Sequence, residues 1–420
     1  AIGREALHDQ TTVSNNVAIG GYALAQNTSG TGNTAIGSNA LYDNTTGAGH
    51  TALGFNALTN NTTGANNTAL GGHTLDTNTT GGYNVSVGYY SLKANTTGDN
   101  NTALGYAVLR QNTTADNNTA VGYYALNANT TGTQNVAVGT LALENNTTAN
   151  DNTAVGYSAM EENTTGTHNT AVGSFALEAN TTGDENTAFG KSSLGYNVSG
   201  SRNTALGRSA LSGNLADDNT GIGHDALRAT TTGTGNTAVG SYALDANTTQ
   251  SGLTAVGYNA LTANTSADNQ TAVGYEALKD TTTGGSNTAV GYQSMTVNTT
   301  GPNNTAVGRL SLDANTTGGQ NTAVGGQALG GNTTGDYNTA FGFYAGYSNT
   351  TGGWNTAVGY EALKDNSTTT SSTAIGSRAL ENSVGNYNVG VGYYAGYSIT
   401  TGDKNVAVGN ESMAIGTITG

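Results

Sequence analysis

Cysteine is absent from the 420 residues, proline occurs once, and only 9% of residues carry a charge. Without cysteine there is no disulfide framework, no thiolate nucleophile and no thiolate metal site. No apolar run reaches 18 residues, so no segment here is expected to insert in a membrane as a helix. Lysine and arginine number 12 against 27 acidic residues, for a formal charge of −15, and the cations are scattered. That balance disfavours nucleic acid or an anionic bilayer as a partner, because both need clustered cations. Low charge with low hydrophobicity often marks a disordered chain. A strict internal repeat is the other route to such a composition.

The repeat is present. Its consensus is Asn-Thr-Ala-Val-Gly, two variable residues, Ala-Leu, two variable residues, Asn-Thr-Thr-Gly and two more variable residues. A clear copy runs from Asn118 to Gln134. The fifth-position glycine recurs 25 times between Gly3 and Gly409. Of the 24 intervals, 22 are 17 residues and two (Gly207 to Gly223, Gly376 to Gly392) are 16. Seventeen residues are too few for a helical-pair repeat or a propeller blade, which need roughly 33 and 40. Gly, Asn and Thr also occupy the sites where helix formers should sit. Two short extended stretches per copy, separated by Gly and Asn turns, predict one coil of an all-β parallel solenoid. At about 4.8 Å per stacked strand, the whole array predicts a rod of roughly 115 Å.

Each slot implies a job. Position four is apolar throughout, as in Val121, Val138, Val155 and Val172, and is expected to point into the coil. Leu126, Leu143 and Leu177 at position nine are expected to meet it from the second stretch. Small residues at positions three and eight predict close approach of a neighbouring backbone. Gly122, Gly139, Gly156 and Gly173 are expected to take positive φ or to sit where a Cβ would clash. Asn129-Thr130-Thr131 and Asn163-Thr164-Thr165 predict a turn whose Asn tolerates left-handed backbone, with side chains stacked into ladders. The 16-residue intervals predict the loss of one loop residue, at Asn214-Leu215-Ala216-Asp217 and Asn382-Ser383-Val384-Gly385. A single coil buries too little apolar surface to offset its ordering entropy, so association of several chains is expected.

The motif resembles the YadA-like head repeat of trimeric autotransporter adhesins, notably at Asn16-Val17-Ala18-Ile19-Gly20 and Asn405-Val406-Ala407-Val408-Gly409. Its 17-residue form is also similar to shaft repeats of phage tail fibres and related surface fibres. The resemblance covers nearly the whole chain. It implies a left-handed β-roll, a homotrimer, and an extracellular fibre on a cell surface or a virion. The coils here are longer than the family's usual head coil, by an Asn-Thr-Thr-Gly turn. The repeat rod spans 1–404. Over 405–420 the spacing contracts, with Ala414-Ile415-Gly416 seven residues after Ala407-Val408-Gly409. The chain begins within a copy and is expected to be part of a longer protein.

No catalytic, cofactor or metal site is expected. The five histidines (His8, His50, His73, His168, His224) share no repeat slot and are expected in exposed loops. The acidic pairs Glu161-Glu162, Asp184-Glu185 and Asp217-Asp218 are expected to be solvated loop charge. Tyrosine recurs after the fifth-position glycine. Tyr123, Tyr157, Tyr275 and Tyr292 either stack on sugar rings of a host glycan or cover the coil edge. The Asn-x-Thr triplets match glycosylation acceptors as well as turns. Three functions compete: a structural or adhesive fibre, a subunit of a self-assembling filament stacked end to end, and an ice-binding solenoid. Adjacent turn threonines such as Thr130 and Thr131 fit the last poorly, because an ice face needs outward threonines on a strand.

Overall fold

The structure, a computed structural model, describes residues 1–11 and 15–413. Ala414-Ile415-Gly416, and with them the contracted terminal spacing, lie outside the described residues. Two compact units divide the chain, Ala1–Ser209 and Ala210–Gly420. Among the described residues each carries twelve strands of three residues, from Val17–Ile19 to Thr204–Leu206 in the first and from Thr220–Ile222 to Val406–Val408 in the second. Within each unit, successive strands pair in parallel with residue on equivalent residue. Thr119, Ala120 and Val121 face Val136, Ala137 and Val138. Each unit is therefore a solenoid with a 17-residue coil.

Where an interval falls to 16 residues the strands keep register, with Thr373, Ala374 and Ile375 on Val389, Gly390 and Val391. The turn gives up the residue. In Asn214-Leu215-Ala216 the asparagine Nδ2 bonds a carbonyl two residues on, at 2.7 Å, instead of the usual three.

The coil interior is narrow. Alternation on a strand sends one residue of three inward, and the third-position alanine takes that place. Ala120, Ala137, Ala154 and Ala171 are fully buried, as are Leu126, Leu143 and Leu177 at position nine. The expectation for position four is overturned. Val121 and Val172 are partly exposed, and Val138 and Val155 are 37% and 36% exposed. They lie on the outer strand face beside the second-position threonines. The strand has room inside only for a small side chain, alanine in most coils and serine at Ser86. At Gly390, one of the two glycines in the alanine slot, an added Cβ would already lie 2.7 Å from Leu380 Cγ.

A second correction concerns the other side of the coil. It is not a strand but a turn segment with left-handed residues at positions seven and nine, such as Tyr124 (φ 57°) and Leu126 (φ 51°). Gln134 at position seventeen is a third, with φ 60°. Left-handed leucine is costly by about 1–2 kcal/mol, yet this geometry turns Leu126 inward while its N–H reaches Ala142 O at 2.9 Å. Gly122, Gly139, Gly156 and Gly173 have φ of 145°, 140°, 143° and 135°, as expected. An added Cβ on Gly173 would lie 2.7 Å from the carbonyl oxygen of Gly190 in the next coil. Both halves of the glycine expectation therefore hold.

The remaining interior is polar. Asparagines at positions one and twelve are buried along both units, including Asn118, Asn129 and Asn163. Asn129 is not among the left-handed residues. Its Nδ2 donates to Gly132 O three residues on, at 2.9 Å, and to Asn112 Oδ1 one coil back, at 2.9 Å. Asn118 Nδ2 reaches the same Gly132 carbonyl at 2.9 Å, and Asn118 Oδ1 accepts the Asn135 N–H at 2.9 Å. Asn163 repeats the position-twelve pattern, bonding Gly166 O and Asn146 Oδ1 at 3.0 Å each. Thr130 and Thr164 hydroxyls donate to the carbonyls of Thr147 and Thr181, each at 3.0 Å. Thr131 and Thr165 are exposed and join the ladder through their N–H groups alone.

Replacing Asn129 with alanine leaves unpaired the N–H that Asn146 Nδ2 donates to Asn129 Oδ1 at 2.9 Å, while its bond to Ala149 O at 3.2 Å remains. A buried unpaired amide costs roughly 1–3 kcal/mol. Asn129→Ala should therefore raise hydrogen exchange in the surrounding coils by a corresponding local destabilisation. Thr131→Ala, in the same turn, should change it by less than about 0.5 kcal/mol.

Candidate functional site

The outer strand face carries a continuous rank of exposed apolar groups. Threonine or valine at position two and Val, Leu, Ile or Phe at position four stack in register along each unit. Leu206 is 49% exposed, Ile375 43% and Phe341 43%. Beyond the fifth-position glycine, the sixth-position aromatics widen this band.

Those aromatics stack on one another. Tyr106 lies 5.5 Å from Tyr123 and 6.1 Å from Tyr89, with nearly parallel rings. Tyr275 is sandwiched by Tyr258 at 5.5 Å and Tyr292 at 5.3 Å. Tyr292 has Arg309 over its ring at 5.9 Å. The neighbour of Tyr157 is Phe175, edge to face at 5.2 Å. The structure thus brings Tyr275 and Tyr292 together but not Tyr123 and Tyr157, whose coils are separated by that of Thr140. Sugar stacking needs an open ring face, and both faces of Tyr275 are turned toward neighbouring rings, although the side chain remains 42% exposed.

The turn segment carries the charge. An acid at position seven pairs with a cation at position ten in three coils: Asp225 with Arg228 at 4.0 Å, Glu276 with Lys279 at 3.4 Å, and Glu361 with Lys364 at 3.0 Å. His73 and Asp76 make the reversed pair at 3.1 Å. Elsewhere on this edge like charges meet. Burial, and then the carboxylates of Glu161 and Glu162, hold Glu144 and Glu178 above the usual carboxylate range. Asp184 has a structural partner, accepting the Thr167 N–H at 2.7 Å. Among the described residues no group of three or more His, Asp or Glu could hold a metal ion.

The histidine expectation fails at one residue. His50 is buried in the position-one asparagine column. Its Nε2 bonds Gly64 O at 2.7 Å, and its Nδ1 accepts the Asn67 N–H at 3.2 Å. These are the two roles asparagine plays there, so histidine substitutes for the amide in its neutral form. The repeat numbering carried that signal, since His50 falls on position one. His8 and His168 lie exposed on the surface, His73 and His224 are half-buried, and each sits beside its own aspartate.

The Asn-x-Thr triplets of the turn are closed to glycosylation in the folded coil. A glycan would attach at Nδ2, and the Nδ2 of Asn129 is buried and already donates twice.

Searched against family models and curated proteins, the chain matches none.

Burial pushes His50 down to about 4 from its ordinary 6.5. The folded state therefore keeps it neutral while the unfolded chain protonates it. Stability should be full above pH 6.5 and fall as pH drops toward 4, by up to about 3 kcal/mol from this residue. Thermal melts between pH 7 and 4 should show that loss. In His50→Asn, which keeps the ladder without titrating, this component should vanish.

Proposed function

We propose that this chain is a structural, non-catalytic segment of an extracellular fibre, on a cell surface or a virion, in which three copies pack through their outer strand faces. The solenoid fold is compatible with a structural role. The observation that carries the reading is the outward Thr–Val face. Every coil presents there the larger apolar residue that its interior cannot hold, and the rank runs unbroken along each unit. Contiguous apolar bands of this kind mark association surfaces. Covering half a valine side chain per coil returns on the order of 0.5–1 kcal/mol, summed over every coil in contact. A second copy is the occupant that matches this face coil for coil, since its own face has the same repeat. The number three, the extracellular setting and an adhesive capacity follow from the resemblance of the Asn-Thr-Ala-Val-Gly motif to trimeric adhesin heads and tail-fibre shafts.

One observation favours a second reading. The second-position threonines, unlike those of the turn, do lie on the outer face of a strand in ordered ranks. That is the arrangement an ice-binding face requires.

Light scattering decides between them. A discrete mass of three chains is expected, and Val138→Asp with Val155→Asp should dissociate it while leaving the coil folded, because both side chains point outward. A monomer that shows thermal hysteresis would support the ice-binding reading instead. An open-ended mass distribution would point to a self-assembling filament.

A further inference from the structure

In three coils the seventh and tenth positions hold an acid and a cation as an ion pair. At Lys93 and Arg110, position-ten residues of adjacent coils, the seventh position holds Tyr90 and Ala107 instead of an acid. Among the described residues no carboxylate forms an ion pair with either cation. Both lie over the Tyr90 ring, Lys93 Nζ at 4.7 Å and Arg110 Cζ at 5.5 Å from its centroid. The ring supports them without neutralising them. Asp76, at position ten of the preceding coil, is engaged by His73. In a protein with 27 acidic residues and 12 basic ones, two adjacent cations thus lack a direct ion pair among the described residues.

Beside them is a recess of about 320 Å³ lined by Thr77, Lys93, Ala94, Arg110 and Gln111. Thr77 Oγ1 donates to Lys93 O at 2.8 Å, so its hydroxyl offers the recess an acceptor. The Gln111 side chain is exposed and bonds nothing among the described residues, leaving a donor and an acceptor for a ligand. We infer that this recess binds one carboxylate-bearing sugar unit, a uronate. Arg110 and Lys93 take the carboxylate, a pairing that suits the planar guanidinium. Gln111 and Thr77 meet ring hydroxyls, and the Ala94 methyl lies under the ring. A volume of this order suits a sugar better than a bare inorganic anion. A nucleic acid would need more cations and would meet the repulsion of the remaining acidic surface. The site lies in the turn segment, apart from the outer strand face, and is independent of whether copies associate there.

The test is calorimetric titration of the full chain with glucuronate, glucose and inorganic sulfate at fixed ionic strength. Glucuronate should bind and weaken with added salt, while glucose binds at least about tenfold more weakly, as expected when a charge-assisted contact decides. Lys93→Gln with Arg110→Gln should lose about tenfold or more in affinity, with an unchanged circular dichroism spectrum. Lys279→Gln, which removes a cation already paired with Glu276, should bind as the parent does. Four outcomes overturn the inference: glucose equal to glucuronate, sulfate as tight as glucuronate, no loss in the double variant, or no binding of glucuronate. Self-association lost in the double variant would assign the cations to the acidic edge of a second copy, and would overturn it as well.

Discussion

The carbonyl at position fifteen, exemplified by Gly132, accepts two buried amides from its own coil. One amide comes from position one, fourteen residues earlier, and the other from position twelve, three residues earlier. The first bond closes the coil and the second shapes its turn. The oxygens of the same two side chains accept from the next coil. Closure and stacking are therefore one hydrogen-bond network. Buried polar groups are tolerable only when fully paired, and here pairing is complete only if coils of equal shape lie above and below. That requirement fixes the period more firmly than the apolar contacts do. Alanine and leucine fill space, but they would tolerate a slip that the amides would not.

The substitutions along the column show what the network needs. His50 keeps both functions of asparagine, donating to the carbonyl and accepting from the next backbone N–H. Ser372 keeps them with one hydroxyl, reaching Gly385 O at 3.4 Å and accepting the Asn388 N–H at 3.3 Å. Gln270 also keeps both, bonding Gly284 O and accepting the Asn287 N–H. Leu253 keeps neither, although its own N–H still reaches Asn236 Oδ1 at 2.9 Å. Donor and acceptor placement, rather than residue identity, is what position one keeps at His50, Ser372 and Gln270, with Leu253 the exception. A narrow interior built on amides also explains the exposed apolar band. The inward strand slot takes only glycine, alanine or, at Ser86, serine, so the larger apolar residues face outward, and the face that invites association follows from the way the coil closes.

Much of this was legible from the repeat alone. The period, the parallel stacking, the glycine at position five and the turn ladder follow from spacing and from the few residues that suit each slot. Two apolar neighbours on a strand, however, allow opposite assignments of inside and outside. Size decided for Ala120 over Val121, and size is informative only once the width of the coil is known. Position seventeen carried a signal for its left-handed backbone, since it often holds Gly, Asn or Asp, as at Gly49, Asn66, Asn117 and Asp151, whereas the leucine of position nine gave none. At Tyr124, Leu126 and Gln134, which are not residue types that favour that conformation, the stacked backbone imposes it. His50 was legible in principle, because its place in the repeat coincides with the asparagine column.

The edge at positions seven and ten behaves in the opposite way. No bond there is needed to close the coil, so its residues vary while the interior repeats. Stacked coils are about 4.8 Å apart, well inside a Debye length of about 8–10 Å at ordinary salt. Charges on adjacent coils therefore interact, and charges three coils apart are largely screened. The electrostatic character of this edge is set in patches two or three coils tall. Lys93 and Arg110 form one such patch, and Glu144, Glu161, Glu162 and Glu178 form another of opposite sign. Burial first, and then the neighbouring carboxylates of the patch, raises the carboxyls of Glu144 and Glu178. Ionised, they repel, and the stability they forfeit is recovered as pH falls through their range and they protonate in the folded coil first. Such a solenoid can acquire a local binding chemistry by changing a few edge residues in neighbouring coils, without disturbing the amide columns that hold it together.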